Sequence, residues 1–392
     1  MKKNKPKRIT LLGNNSGRNL GDAAIMSSIL DMVAKELPDA EVLVPTLNPS
    51  FVTDNYGEQY NVKAVDVRLR TLSLRLLGLP TFYSLLRSDV ALICDGIIFG
   101  RKLFSPHNFL ITLIFLVPFA RLVGCKVVCF SCGIGPFPSK LSKIFAKFVI
   151  QLSNLVIMRE RDSEKLAREI GVKKQISING DSAFVNPIGS SVDAEKILKE
   201  NNVPLNKPLI GLNITPYIDS WLKKDERIEN KKAFLENYAK NVKSALKKIK
   251  TEQPEILIFS CSPMDEEYSH RFAKLLNATV IDNSRYLSHN IQAVMRKCGL
   301  LVGMRFHSLV LASAAGASIL GLVYAPKVKG YMRLLDCEEF CLELKEVDKP
   351  IFVETLASAW DSREELRERQ QVVVSGLRDT AQDAMRVTIN QL

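Results

Sequence analysis

The chain has 392 residues, more than one ordinary core of side chains organises, so two domains are expected. Hydrophobic residues make up 46% and charged residues 24%, the balance of a soluble globular protein, and no apolar run reaches the roughly 20 residues of a membrane span. The net charge of +12 points to anionic partners, but zinc-finger spacing, an RNP-like aromatic strand and a basic heptad segment are all missing, so nucleic acid is not expected.

The chain opens on a basic segment, Met1 to Arg8. The apolar run after it stops at Gly13, so no signal peptide is expected. Arg8 to Gly13 reads as a buried strand. A polar glycine loop, Gly13 to Asp22, follows, then a helix over 23–37 with Asp22 as its N-cap. This is the order of a phosphate or nucleotide cradle, although the spacing is neither G-x-G-x-x-G nor a P-loop. Glu41 to Val44 is a second strand. Residues 50–88 are irregular, with helical character over 72–86. A third strand, Asp89 to Cys94, ends at Asp95-Gly96.

Phe109 to Ala120 is apolar but short and holds Pro118, so it reads as a core helix. The strand at 126–131 ends in Gly133-Ile134-Gly135-Pro136. Cys125, Cys129 and Cys132 have a C-x3-C-x2-C spacing able to hold an iron–sulfur cluster. Strand alternation should turn Cys129 and Cys132 to opposite faces, so no metal site is expected. The eight cysteines are scattered, which suits a reducing, cytoplasmic setting. After a helix over 140–153, the strand Leu155 to Met158 delivers Arg159. Asp162 or Ser163 caps the next helix. Strand 176–179 then leads to Asp181-Ser182.

A linker with Pro187 and Gly189 separates the halves, and the second half repeats the pattern. Strands are expected at 209–214, 255–260, 279–281, 300–302 and 318–323, with helices between them. Residues 353–390 read as charged helix. Lys223-Lys224, Lys231-Lys232, Lys247-Lys248 and Lys250 read as a solvated helix face, with peripheral association at the inner face of the membrane as the alternative. Strands alternating with helices imply α/β architecture with parallel sheets. The expected form is GT-B-like: two Rossmann-like domains facing a cleft, residues 1–190 and 191–350, with a C-terminal helical segment, 351–392, able to cross back.

The sharpest chemical signal is Gly303-Met304-Arg305-Phe306-His307-Ser308. It lies between an apolar strand and an Ala- and Leu-rich helix. In open α/β sheets ligands bind at such strand ends, and a helix start favours an anion. Arg305 adds a forked cation and His307 a titratable donor. His107, His270 and His289 have no comparable setting and read as structural or surface residues.

From about residue 9 to 330 the chain resembles the polysaccharide pyruvyl transferases. The resemblance rests on Asn19-Leu20-Gly21-Asp22-Ala23-Ala24-Ile25, on the Gly133 to Pro136 turn and on Arg159 with Ser163. It rests also on Asp181 to Phe184, on Gly303 to Ser308 and on Tyr324 to Lys327. It implies transfer of pyruvate from phosphoenolpyruvate to a sugar as a cyclic ketal, on a nucleotide- or lipid-linked acceptor, in extracellular or cell-surface polysaccharide synthesis. By resemblance, His307 is the active-site histidine. Arg159, Arg305, Ser308 and Lys327 bind the donor, with Arg159 facing Arg305 and His307 across the cleft. Asn19, Gly21, Asp22, Asp95, Gly96, Gly133 and Gly135 belong to substrate loops. No cofactor or metal is implied, and the oligomeric state is open.

Two features depart from the family pattern. Cys94-Asp95-Gly96-Ile97-Ile98-Phe99-Gly100 stands where a run of glycines is usual, so isoleucines are expected to fill space on the acceptor side. Ser131-Cys132 stands where a Gln usually precedes the Gly-Ile-Gly-Pro turn. The alternatives are a nucleotide-sugar glycosyltransferase of the same architecture, and an inactive scaffold of a polysaccharide assembly complex.

Overall fold

A computed structural model describes residues 7–105, 108–216 and 227–391. Met1 to Pro6, His107 and Lys223-Lys224 lie outside the described residues. The chain forms two compact units. One comprises residues 1–17, 22–185 and 377–392; the other comprises 18–21 and 186–376.

The first unit runs β1 (Arg8–Leu12), α1 (Leu20–Glu36), β2 (Glu41–Thr46), α2 (Pro49–Tyr56) and β3 (Val62–Asp66). A hairpin of β4 (Ser73–Leu74) and β5 (Leu77–Gly78) leads to α3 (Leu79–Leu86) and β6 (Val90–Ile93). Then come α4 (Leu110–Leu122), β7 (Lys126–Cys132), α5 (Lys140–Leu152), β8 (Leu155–Met158), α6 (Arg161–Glu169) and β9 (Ser177–Ile178). Its seven-stranded sheet is parallel, in the order β3-β2-β1-β6-β7-β8-β9. The inner strands are continuous apolar runs because helices cover both faces. Thus β6, Val-Ala-Leu-Ile, is buried at every position.

The second unit runs α7 (Ser191–Glu200), β10 (Leu209–Asn213), α8 (Lys231–Lys248), β11 (Glu255–Ser260), α9 (Pro263–Leu276) and β12 (Thr279–Asp282). It continues with α10 (Ser288–Arg296), β13 (Cys298–Gly303), α11 (Phe306–Ala315), β14 (Ser318–Val323), α12 (Pro326–Leu334), β15 (Cys341–Glu343) and α13 (Pro350–Asp361). Six parallel strands lie in the order β12-β11-β10-β13-β14-β15. The last helix, α14 (Arg363–Gln391), starts in this unit, and its end belongs to the first. There Asn179 donates to the Thr380 carbonyl at 2.7 Å, and Gly180 leaves room for the Leu377 carbonyl, which a Cβ would meet at 2.2 Å.

In each sheet the order reverses at one place, between β1 and β6 in the first and between β10 and β13 in the second. These are the topological switch points, where successive connections part to opposite sides and leave a crevice at the carboxyl ends of the strands.

Several expected elements shift. The first helix begins at Leu20, with the Asn19 side chain accepting from the Gly21 N–H at 2.9 Å, so Asp22 lies in its first turn and is not the cap. The α6 N-cap position falls on Glu160, not on Asp162 or Ser163. The stretch 72–86 is a hairpin plus a short helix. Isoleucines 97 and 98 are both buried in the core with Leu103, Phe109 and Phe137. The Cys129–Cys132 alternation also fails. The β7 register shifts between them, with Ser131 in the left-handed region at φ 45°, and the two thiols interact. An extra residue on a strand reverses the side-chain alternation after it.

Candidate active site

The second unit's switch point is built on Asn213, the last residue of β10 and fully buried. Its side-chain amide donates to the Phe259 carbonyl at 2.8 Å. Its Oδ1 accepts from the Arg305 N–H at 2.9 Å and the Ser308 hydroxyl at 3.0 Å. One buried amide thus ties the end of β10 to the turn after β13 and to the start of α11. Ser308, expected among the donor ligands, is fully buried, and its hydroxyl also donates to the Arg305 carbonyl at 2.7 Å. It shapes the turn from beneath.

Arg305 takes the position before α11. Its Nε and Nη2 donate to the two oxygens of Asp265, in the first turn of α9 and wholly buried. Side-on pairing fixes the guanidinium plane and uses only one edge of the fork. Burial opposes the charge, but the bond and charge of Asp265 outweigh it and hold Arg305 above the ordinary arginine range.

His307 is half-buried in the first turn of α11, where the helix dipole favours negative charge. Its neighbour across the turn is Gly21, which is counted with this unit. A Cβ at position 21 would stand 2.1 Å from His307 Nδ1, so only glycine admits the ring there. Residues 18–21 are anchored to the unit by backbone bonds. Leu20 N–H reaches the Cys261 carbonyl at 2.9 Å, and the Asn283 amide reaches the Arg18 carbonyl at 3.1 Å. The ammonium of exposed Lys327 lies 5.6 Å from the Phe306 ring centre, and that ring meets the His307 ring edge-on at 5.2 Å. The structure therefore brings Asn19, Gly21, Arg305, His307 and Lys327 to one place within this unit.

The first unit's switch point carries carboxylates. Asn14, just after β1, donates its backbone N–H to Asp95 at 3.1 Å and its amide to Asp22. Asp95 follows β6 in the left-handed region at φ 57°, an uncommon conformation for a side-chain-bearing residue, and is 7% exposed. Burial, then the charge of Asp22, push its pKa well above the usual carboxylate range, against the opposing Asn14 bond and Arg159 charge. Gly96 is exposed, with open space where a Cβ would stand.

Further along the same sheet, Arg159 leaves β8 with a side chain only 8% exposed. Nε donates to Glu160 at 2.6 Å and Nη1 to Asp181 at 2.9 Å. Glu160 also accepts from the Ser163 hydroxyl, which accepts from the Ile134 N–H at 3.1 Å. A Cβ at Gly133 would lie 2.5 Å from the Arg159 guanidinium. Gly135 takes a left-handed φ of 83°. Motifs separated by up to 48 positions, from Gly133 to Asp181, are thus one hydrogen-bonded network.

Sequence reasoning passed over Asp265 and Asn213. The only signal for Asp265 was an acid at a helix start. For Asn213 it was an amide closing an apolar strand. Of the other histidines, His289 is half-buried, and burial lowers its pKa. His270 is exposed, and one ligand atom each of Glu266, His270 and Asp282 lie within 4.8 Å of one another.

The polysaccharide pyruvyl transferase family profile matches residues 19–326. The chain belongs to this family. It is similar to the amylovoran biosynthesis protein AmsJ of Erwinia amylovora, at 21% identity over 409 residues, covering 92% of this chain and 94% of AmsJ. Its fold matches the UDP-GlcNAc 2-epimerase of Neisseria meningitidis bound to UDP-GlcNAc, with a TM-score of 0.57 at 13% identity and 98% of each chain covered. It also matches a glycosyltransferase of Rickettsia africae, with a TM-score of 0.56 at 10% identity, covering 99% of this chain and 98% of the other. The architecture is accordingly α/β and GT-B-like, and among the described residues no helix is long and apolar enough to cross a membrane.

Proposed function

We propose that this chain transfers pyruvate from phosphoenolpyruvate to two hydroxyls of a sugar as a cyclic ketal, releasing phosphate. The observation that carries the reading is the placement of His307, on a helix start at a switch point, with an aspartate-fixed Arg305 two residues before it. The donor is a small polyanion carrying a phosphate and a carboxylate. Arg159, Arg305 and Lys327 are the cations assigned to those groups, with Ser308 holding the Arg305 turn. Asn19, Gly21, Asp22, Asp95, Gly96, Gly133 and Gly135 are assigned to the loops around the substrates.

The enol phosphate must first be protonated at its methylene carbon, which a positioned acid accomplishes. His307 donates that proton, leaving an oxocarbenium-like centre on the neighbouring carbon. A sugar hydroxyl bonds to this centre and returns its proton to the imidazole. Phosphate then leaves with its bonding electron pair, the second hydroxyl bonds to the same carbon, and its proton goes to the phosphate. Atoms and charge balance without an added reagent. The acceptor fits the family: a nucleotide- or lipid-linked unit of a cell-surface or extracellular polysaccharide, modified in the cytoplasm.

The test is incubation with phosphoenolpyruvate and a panel of nucleotide- and lipid-linked sugars. Phosphate release together with a mass gain on the sugar is expected. A nucleotide sugar consumed without phosphoenolpyruvate would make the chain a glycosyltransferase, and binding of neither donor would make it a scaffold.

A further inference from the structure

One helical layer of the first unit has an outer face unlike the rest of the surface. Of the 20 large hydrophobic side chains exposed among the described residues, 12 fall between positions 69 and 148. From 68 to 148 the sequence holds 11 Lys and Arg against two Asp, so 11 − 2 = 9 of the net charge of +12 lies there. Neither aspartate offsets that face. Asp95 is buried, and Asp89 accepts from the backbone N–H groups of Lys7 and Arg8 where β1 begins. Helices α3, α4 and α5 contain no carboxylate at all.

These three helices form one layer. α3 packs on α4 and α4 on α5, and their inner residues enter the same core cluster, Leu85 from α3, Leu113 and Leu116 from α4, Ala146 and Val149 from α5. Their outer faces therefore turn to the same side. That side shows Leu79 and Tyr83, Phe115 and Leu122, and Ile144 and Phe148, with Leu122 84% exposed. On α5 the exposed apolar residues are interleaved with exposed Lys140, Lys143 and Lys147, while Arg87 and Arg121 are exposed at the ends of α3 and α4. A surface helix normally keeps one apolar stripe for the core. Here α5 has a core stripe and a second apolar row facing out.

We propose that the α3–α4–α5 face seats on a bilayer surface containing anionic lipid. The argument is charge complementarity joined to apolar exposure. Lys and Arg reach headgroup phosphates while their stems and the Leu, Ile, Phe and Tyr side chains lie in the headgroup–acyl boundary. A second copy of the chain would oppose like charge to like charge on this face. The lysine-rich α8 is a different case. Its apolar residues, Phe234, Leu235 and Tyr238, are buried, and Lys232 and Lys248 face Glu236 and Glu354. It is a solvated face with no apolar residue to insert.

The test is co-flotation of the full chain with phosphatidylcholine vesicles with and without 30% phosphatidylglycerol. Binding is expected only with the anionic lipid, weakening between 0.05 and 0.5 M salt. Lys140→Glu/Lys143→Glu/Lys147→Glu should lower the affinity by at least about 100-fold, at about one order of magnitude or less per lysine lost. Ile144→Ser/Phe148→Ser should lower it at both salt concentrations, and its exposed positions leave the melting temperature unchanged. Lys240→Glu/Lys243→Glu on α8 should bind as the wild type does. Failure of the wild type to float with anionic vesicles at low salt would overturn the proposal. So would loss of binding in the α8 variant alone, or self-association in solution that Ile144→Ser/Phe148→Ser abolishes without vesicle binding.

Discussion

The two switch points share a frame and differ in charge. In each, an asparagine at the end of the first strand binds the turn after the neighbouring strand: Asn14 holds Asp95, and Asn213 holds Arg305 and Ser308. In the second unit that turn presents an arginine and a histidine, and in the first it presents a buried acid beside another acid. The same architecture is therefore specialised by a few residues at strand ends. On the proposed function the crevice with Arg305, His307 and Lys327 takes the phosphate-bearing donor, and the acidic one faces groups that take or give a hydrogen bond.

The largest expected effect tests the cationic side. His307→Ala and Arg305→Ala should each cut turnover of phosphoenolpyruvate by about 100- to 10,000-fold, the range for losing a general acid or a donor to developing charge. Their far-UV circular dichroism should remain that of the wild type. Wild-type turnover in both would remove the site from this switch point. Next in size is Gly21→Ala, because its methyl group would meet the His307 ring at 2.1 Å. A displacement on the scale of 1 Å in a catalytic group costs about 100-fold. A crystal structure of the variant should show the imidazole turned away, and an unmoved ring with full activity would break the Gly21–His307 link.

The two sides were not equally legible from sequence. The cationic turn stands out because Arg, Phe, His and Ser interrupt an otherwise apolar strand and helix, a pattern that composition alone reveals. The parallel sheets were legible too, since buried strands such as Val90 to Ile93 are apolar throughout. The edge strand β3, Val-Lys-Ala-Val-Asp, was missed because a half-exposed strand lacks such a run. Long-range pairing was invisible. Nothing in the sequence joins Asp265 to Arg305, 40 positions later, or brings Ile97 and Ile98 into one core with Phe109 and Phe137. The reversal at Ser131 depends on a backbone angle that no side-chain pattern encodes.

A smaller effect is expected at Lys327. Its ammonium is exposed and lies over the Phe306 ring, so it supplies charge with little fixed geometry. Lys327→Ala should raise the KM for phosphoenolpyruvate about fivefold, the scale of about 1 kcal/mol for an exposed cation, with kcat nearly unchanged. A kcat loss equal to that of His307→Ala would place Lys327 in the proton transfer itself.

The subtlest prediction concerns the acidic side and is read in stability. Asp95 faces Asp22, Cys94 and Arg159, and burial followed by the Asp22 charge raises its pKa in the folded chain. An acid with a raised folded pKa binds its proton more tightly in the native state than in the unfolded one. The native state then holds the extra proton from just above the ordinary value of 3.8 up to the raised value. Stability from this group is therefore complete below that window and is lost as pH rises through it. Asp95→Asn removes the titration and keeps an oxygen for the Asn14 N–H. Urea unfolding from pH 4 to 8 should show wild-type stability falling more steeply than that of Asp95→Asn, with the two curves converging at the acid end once a constant offset is subtracted. Parallel curves would mean that folding does not raise the pKa of Asp95. The first switch point would then differ from the second in charge sign alone.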